Sequence, residues 1–249
     1  MLGLAWDGTG YGPDATVWGG EVLRCESAEF QRVAHLRTFP LPGGDRAARE
    51  PRRAALGLLF EILGDAVVPW AERWFAPPEL GVLLAALRRP HVFPRTSSMG
   101  RLFDAVAAIC DLPHRVSFEG QAAMGLEFVA DVKVREAYPL PLSDTIPASA
   151  DWEPTIRAIL EDLTQDVSVA VIAAKFHNGL AALALAVARR CGDSQVALTG
   201  GCFQNALLTA RVRDRLSVDG FRVYIQQQVP PGDGGIALGQ VFVAARRLT

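Results

Sequence analysis

From residue 195 to residue 248 the chain alternates strand and helix with glycine-rich turns between them, and this pattern most narrows its fold. "QVALT" reads as a strand, "GG" as a turn, "CFQNALLTARVRDRL" as a helix, "FRVYIQ" as a strand, "QQVPPGDGG" as a loop and "IALGQVFVAARRL" as a helix. Such an alternation predicts an α/β fold, whose functional turns lie at the carboxyl ends of its strands. Gly200 and Gly201 fall in one such turn, where backbone approaches a ligand closely and helix N–H groups point outward. Tight packing of helix on strand accounts for the same two glycines. Asp233 opens the last helix, either as a cap or as a ligand-binding carboxylate.

The chain opens on "LAWDGTGYG", in which Leu2, Leu4, Ala5 and Trp6 read as a short buried strand. Asp7-Gly8 and Thr9-Gly10 are expected to supply the φ > 0 positions of a tight hairpin. The same turn sets backbone N–H groups beside a carboxylate, which suits phosphate or a metal that touches phosphate. Residues 2–40 form a predicted β-meander, closed by "PLPGGD". Helices follow from Pro51, around 78–88, around 98–111 and within "FEGQAAMGLEFVAD". The Pro- and Ser-rich stretch 131–150 reads as a junction, dividing a first part, 1–140, with meander and helical insertion, from a second α/β part, 141–249. Asp151 is the expected cap of the next helix, with Pro154 in its first turn, and a longer helix runs from about Asp166 to Arg190.

Half of the 249 residues are hydrophobic, enough for a substantial core in one or two domains. A net charge of -2 gives no electrostatic footprint for nucleic acid. Arg46, Arg49, Arg52 and Arg53 read as one solvated helix face, with a reach from Arg49 to a phosphate as the sharper alternative. Cys25, Cys110, Cys191 and Cys202 are widely spaced with no CxxC, which points to reduced thiols and a cytoplasmic location. The apolar run from Val167 to Cys191 is interrupted by Lys175, His177, Asn178 and two arginines, so a packed helix is expected there and no membrane partner. His177 reads as a packed or supporting histidine, and His35, His91 and His114 show no metal spacing.

One Asp-Gly turn near the start and two Gly-rich turns near the end resemble the two halves of the actin and sugar-kinase-like (ASKHA) nucleotide-binding fold. Seven blocks carry a closer resemblance: "DGTGYGPDATVWGGEVL", "RVAHLRTFPLPGGDRAAREPRRAAL", "FPRTSSMGRLFDAVAAICDL", "FEGQAAM", "FHNGLA", "LTGGCFQN" and "PPGDGGIALGQ". In this order they resemble the carboxyl-terminal, TsaD/Kae-like part of the hydrogenase maturation carbamoyltransferase HypF family. "FPRTSSMGRLFD" and "HLRTFPLPGGD" favour that branch over small-molecule O-carbamoyltransferases.

The resemblance implies an α/β, two-lobed ASKHA fold with an incomplete amino-terminal lobe. It implies transfer of a carbamoyl group from carbamoyl adenylate, made from carbamoyl phosphate and ATP, to the C-terminal cysteine of HypE during cyanide-ligand synthesis for nickel–iron hydrogenase. By this resemblance Asp7 and Asp233 are metal ligands, and Gly8, Thr9, Gly10, Asp104, Gly120, Gly200, Gly201 and Asn205 bind the adenylate. No residue is assigned as catalytic. The family's divalent metal, iron or zinc, also takes histidines from an upstream "HHHAH"-like segment that these residues lack. The expectation is therefore a weak or absent metal, no transfer by the chain alone, and a separate chain as one source of the missing part. A non-catalytic HypE-docking module is the reading from another class.

Overall fold

In the computed structural model, which describes residues 1–112 and 114–247, β1 (Leu2–Tyr11) runs through the middle of the sheet. Its alternate residues Leu2, Leu4 and Trp6 are buried, each contributing about 1.5–3 kcal/mol of apolar burial. β2 (Val17–Glu26) and β3 (Glu29–Leu36) complete the antiparallel meander. The short β4 (Phe39–Pro40) follows. The chain continues as α1 (Pro51–Leu63), α2 (Val68–Ala71), α3 (Pro77–Leu87), β5 (Arg95–Thr96), α4 (Met99–Ile109) and α5 (Gln121–Val129). β6 (Ala148–Ala150), α6 (Glu153–Thr164), α7 (Val169–Cys191), β7 (Gln195–Thr199), α8 (Ala206–Val218), β8 (Arg222–Ile225) and α9 (Ile236–Arg247) complete it. Leu248, the last residue of the expected final helix, lies outside the described residues.

The strands form one sheet in the order β4-β5-β2-β1-β7-β8, with β3 joining β2 to β6. β1 pairs in parallel with β7, and β3 with β6, so the sheet crosses the boundary expected at residues 140–141. Because β1, β7 and β8 are parallel neighbours, their carboxyl ends lie at the same edge. That edge receives the segments after Trp6, Thr199 and Ile225.

The hairpin expected at Asp7–Gly10 is a correction. β1 continues to Tyr11, its register with β2 shifts between Trp6 and Gly10, and the reversal falls at residues 12–16, where Gly12 N–H donates to Thr16 O at 3.1 Å. Neither Gly8 nor Gly10 has a positive φ. A bulge uses the same small residues as a turn, and here it lifts Asp7–Thr9 out of the ladder while the strands stay paired on either side.

Helix starts also differ from expectation. α7 begins at Val169, capped by the Ser168 hydroxyl, and Asp166 lies before it with φ 55°. Trp152 occupies the cap position of α6, while Asp151 Oδ1 accepts from Glu153 N–H at 3.0 Å. α8 starts at Ala206 because Gly201–Gln204 forms a separate 3-10 turn.

The arginine cluster is a second correction. Only Arg46 and Arg49 face solvent; Arg52 and Arg53 are buried. Glu50 accepts from Arg46 at 2.8 Å, Arg52 at 2.7 Å and Arg53 at 2.8 Å. Burial raises the Glu50 pKa, but the three arginines outweigh it and hold the carboxyl at about 2. Glu79 on α3 supplies the second counter-charge.

Two helical stretches, Pro51–Ala71 and Val169–Cys191, are apolar and long enough to cross a membrane by length and composition. Both contribute to the protein core: α1 packs on α4, and α7 packs on α5 and α8. Buried His177 and Asn178 sit in the middle of α7, each hydrogen-bonded within the fold.

Candidate functional site

Convergence at the sheet edge depends on a stacked pair. The Trp6 and Phe203 rings lie 5.3 Å apart and nearly parallel, one just before the bulge of β1 and the other in the turn after β7. They hold Gly200 and Gly201 against Trp6 and Asp7. Gly200 has φ 97°, and any Cβ there would collide with the Trp6 carbonyl. A Cβ on Gly201 would come within 2.9 Å of Asp7 Oδ1. Gly200 N–H donates to Pro231 O at 2.7 Å, which brings the third turn, after β8, to the other two.

The first turn of α4 closes the opposite side. The Ser98 side chain caps α4 by accepting from Arg101 N–H at 3.1 Å. Its hydroxyl also lies 2.8 Å from Asp7 O and 2.7 Å from Gly8 O, two alternative acceptors. A Cβ on Gly100 would approach Gly8 Cα to 2.7 Å, so backbone meets backbone here with no side chain between.

Two cavities open from this junction. One, of about 560 Å³, has Asp7, Gly8, Thr9, Asp104, Gly120, Gly201 and Asp233 in its lining, together with Arg101, Glu119 and Cys202. The other, of about 740 Å³, has Gly10 and Gly200 in its wall, shares Asp7, Thr9 and Asp233, and is otherwise bounded largely by apolar side chains including Trp18, Ile236 and Phe242. Nine of the ten residues that the resemblance assigned therefore line one cavity or the other.

Asn205 is the exception: it lines neither cavity. Its Oδ1 accepts from Leu208 N–H at 2.7 Å, capping α8, and its Nδ2 lies 3.0 Å from His177 Nε2. His177 Nδ1 lies 2.7 Å from Ala173 O, so Nδ1 carries the proton and Nε2 accepts from Asn205. Burial drives the His177 pKa down to about 4, in keeping with that neutral ring. The pair ties α7 to the turn after β7 from beneath. Arg49 is exposed and also lies outside both cavities.

Arg101, Glu119 and Cys202 are cavity residues that the sequence reading missed. A charged pair three residues apart on the otherwise apolar helix "MGRLFDAVAAI" was the available signal for Arg101. Burial raises the Asp104 carboxyl to about 7; nearby Arg101 opposes this shift and Glu119 adds to it. Burial likewise pushes the Cys202 thiol far above its usual value, with Asp7 contributing in the same direction. The shift favours the thiol over the thiolate, the nucleophilic form.

The residues present do not complete a metal site. Asp7 and Asp233 offer two carboxylates, and Asp7 Oδ1 already accepts from Gly8 N–H at 2.7 Å. Among the described residues no group of three or more His, Cys, Asp or Glu side chains is placed to hold a metal ion. Imidazole donors, which favour iron or zinc over harder cations, are absent from the cavity lining.

Residues 3–240 match the family model described as "Carbamoyltransferase, Kae1-like Domain, second subdomain". The chain is 40% identical over 260 residues to the carbamoyltransferase HypF of Synechocystis sp., covering 97% of this chain and 34% of that protein. It is 41% identical over 252 residues to the HypF of Rhodobacter capsulatus, covering 98% and 32%. It is 38% identical over 262 residues to a HypF homolog of Cupriavidus necator, covering 100% and 66%. A crystal structure of full-length HypF in the phosphate- and nucleotide-bound form superposes with a TM-score of 0.92 at 39% identity, covering 100% of this chain and 33% of that one. HypF from T. kodakarensis gives 0.85 at 31%, covering 99% and 34%. The chain thus spans about a third of the length of most of these relatives.

Proposed function

Because this chain belongs to the HypF carbamoyltransferase family, we propose that its 560 Å³ cavity holds a carbamoyl-bearing adenylate for transfer to a protein thiol. The observation that carries this reading is the meeting of the Asp7–Thr9 bulge of β1 with the glycine-rich turns after β7 and β8 around one charged cavity. The phosphate- and nucleotide-bound state of the full-length HypF structure supports the ligand class.

The reaction is an acyl-type exchange. The acceptor sulfur, as thiolate, attacks the carbamoyl carbon; the carbon–oxygen bond to the adenylate phosphate breaks, leaving an S-carbamoyl group and AMP. The C-terminal cysteine of HypE is the proposed acceptor. Burial favours the thiol form of Cys202, which disfavours it in that role. This chain's own contribution is to bind and orient the adenylate: the glycines of the lining leave room for the phosphate beside the backbone, and Arg101 supplies positive charge. Among the described residues no third His, Cys, Asp or Glu joins Asp7 and Asp233 in a metal-binding group, and the reading takes further donors from outside the described residues. Carbamoyl adenylate and those donors would come from the remaining portion of a HypF protein, in the cytoplasm.

The test supplies HypE, carbamoyl phosphate and ATP to three mixtures, and mass spectrometry of HypE reads the S-carbamoyl adduct. One contains this chain alone, one a HypF relative whose own Kae1-like domain is inactivated, and one both. The adduct is expected only in the third. Adduct formation by the chain alone overturns the argument for outside donors. No adduct in any mixture, with HypE still bound by the chain, favours the docking-module reading.

A further inference from the structure

Arg101 is 2% exposed, yet its Nε and Nη1 make no hydrogen bond. Nη1 lies 2.9 Å from Asp104 Oδ2 without hydrogen-bond geometry, and that oxygen has no other partner. Nη2 lies 3.5 Å from Oε1 of Glu119, whose side chain is 64% exposed. A guanidinium brings five donors in a fixed fork, and burying them unmatched is unfavourable. Here the guanidinium lines a cavity that Gly8, Gly100 and Gly201 also line. A Cβ on Gly8 would stand 3.2 Å from Nη2. Space is thus kept beside the fork where other residue types would fill it.

We infer that Arg101 anchors a phosphate oxygen of the bound ligand, with the exposed Glu119 carboxylate as the anion it gives up on binding. This deepens the adenylate reading and rests on it for the identity of the ligand. The recognition chemistry itself is a planar, charge-assisted donor pair meeting a phosphate, the geometry for which arginine is suited. Asp104 packs against the same guanidinium through Nη1.

Calorimetry with inorganic phosphate, AMP and adenosine on the 249-residue chain tests the inference. Arg101→Gln is expected to weaken phosphate and AMP by about tenfold to a hundredfold while leaving adenosine unchanged. Arg101→Lys should recover part of that loss. Glu119→Gln, at an exposed side chain, should tighten phosphate severalfold, and it keeps the test decisive where Arg101→Gln fails to fold. The inference falls if the wild-type chain binds no phosphate, if Arg101→Gln binds it equally well, or if Glu119→Gln leaves its affinity unchanged. Phosphate binding that obeys these expectations while AMP binds no better than phosphate overturns the adenylate reading alone. AMP binding that ignores Arg101 overturns the anchor alone.

Discussion

The two cavities that meet at Asp7 and Asp233 are built from opposite materials. The smaller is backed by α4, most of whose residues are buried, and it sets Arg101 and Asp104 in a rigid wall. The larger is bounded on one side by α9, in which none of the described residues is buried and Ile236, Leu238, Val241 and Phe242 are all largely exposed. Both have room for a ligand. The first holds an arginine and an aspartate by packing and the second a single buried carboxylate, Glu21, and a charge costs least to aim when its surroundings already fix it.

The comparison breaks most sharply at Trp6. Its ring is 1% exposed and stacked on Phe203, so Trp6→Ala removes the contact that holds the Gly200-Gly201 turn to β1. The expected loss is about 3–5 kcal/mol of stability, read by urea denaturation. A loss near zero would mean that the sheet edge holds its turns without this stack.

Titration sharpens the contrast next. Burial raises the Asp104 pKa from 3.8 to about 7, so the folded chain binds a proton that the unfolded chain releases. Its stabilising contribution is full below pH 3.8 and is lost as pH rises through about 7. His177, with its pKa lowered to about 4, has the opposite slope between that value and its ordinary 6.5. The difference between wild type and Asp104→Asn isolates the carboxyl: wild type should lose about 2–3 kcal/mol relative to the variant between pH 5 and pH 8. Unfolding free energies at those two pH values check this, and a parallel pair of curves would place Asp104 in contact with water.

The smallest effect belongs to α9. Phe242→Ser, at a side chain 54% exposed, should change stability by no more than about 0.5 kcal/mol. A cost several times larger in the isolated chain would show that α9 is packed, and the contrast between the two walls would disappear.

Local chemistry made the strands and the Gly200-Gly201 turn legible, because glycine at a strand end and apolar alternation are written in neighbouring residues. The same chemistry misplaced the hairpin. Asp-Gly serves a turn or a bulge equally, and what decides is the resumed pairing of Gly10 with Trp18 on the next strand. Arg52 and Arg53 were read as solvated because Glu79, which helps neutralise them, arrives from another helix. Asn205 presented the sequence of a ligand-binding turn, but its Nδ2 faces His177, far away along the chain. Arg101 stayed hidden for a similar reason: its cavity exists only once the Glu119-Gly120 segment and the turn after β7 fold around it.

The parallel pairing of β1 with β7 also sets a timetable. β2 follows β1 at once in synthesis and joins it through a short reversal, whereas Leu2 meets Val196 only after nearly all the intervening chain has emerged. Closing so long a loop is slow, and until it closes one flank of β1 is an unpaired edge open to other chains. A nascent chain therefore reaches a stage in which the meander and first helices are formed but Asp7 has no Gly201 beside it. The smaller cavity is completed only after β7 has joined β1, so molecules stalled before that step would be compact, aggregation-prone and without it.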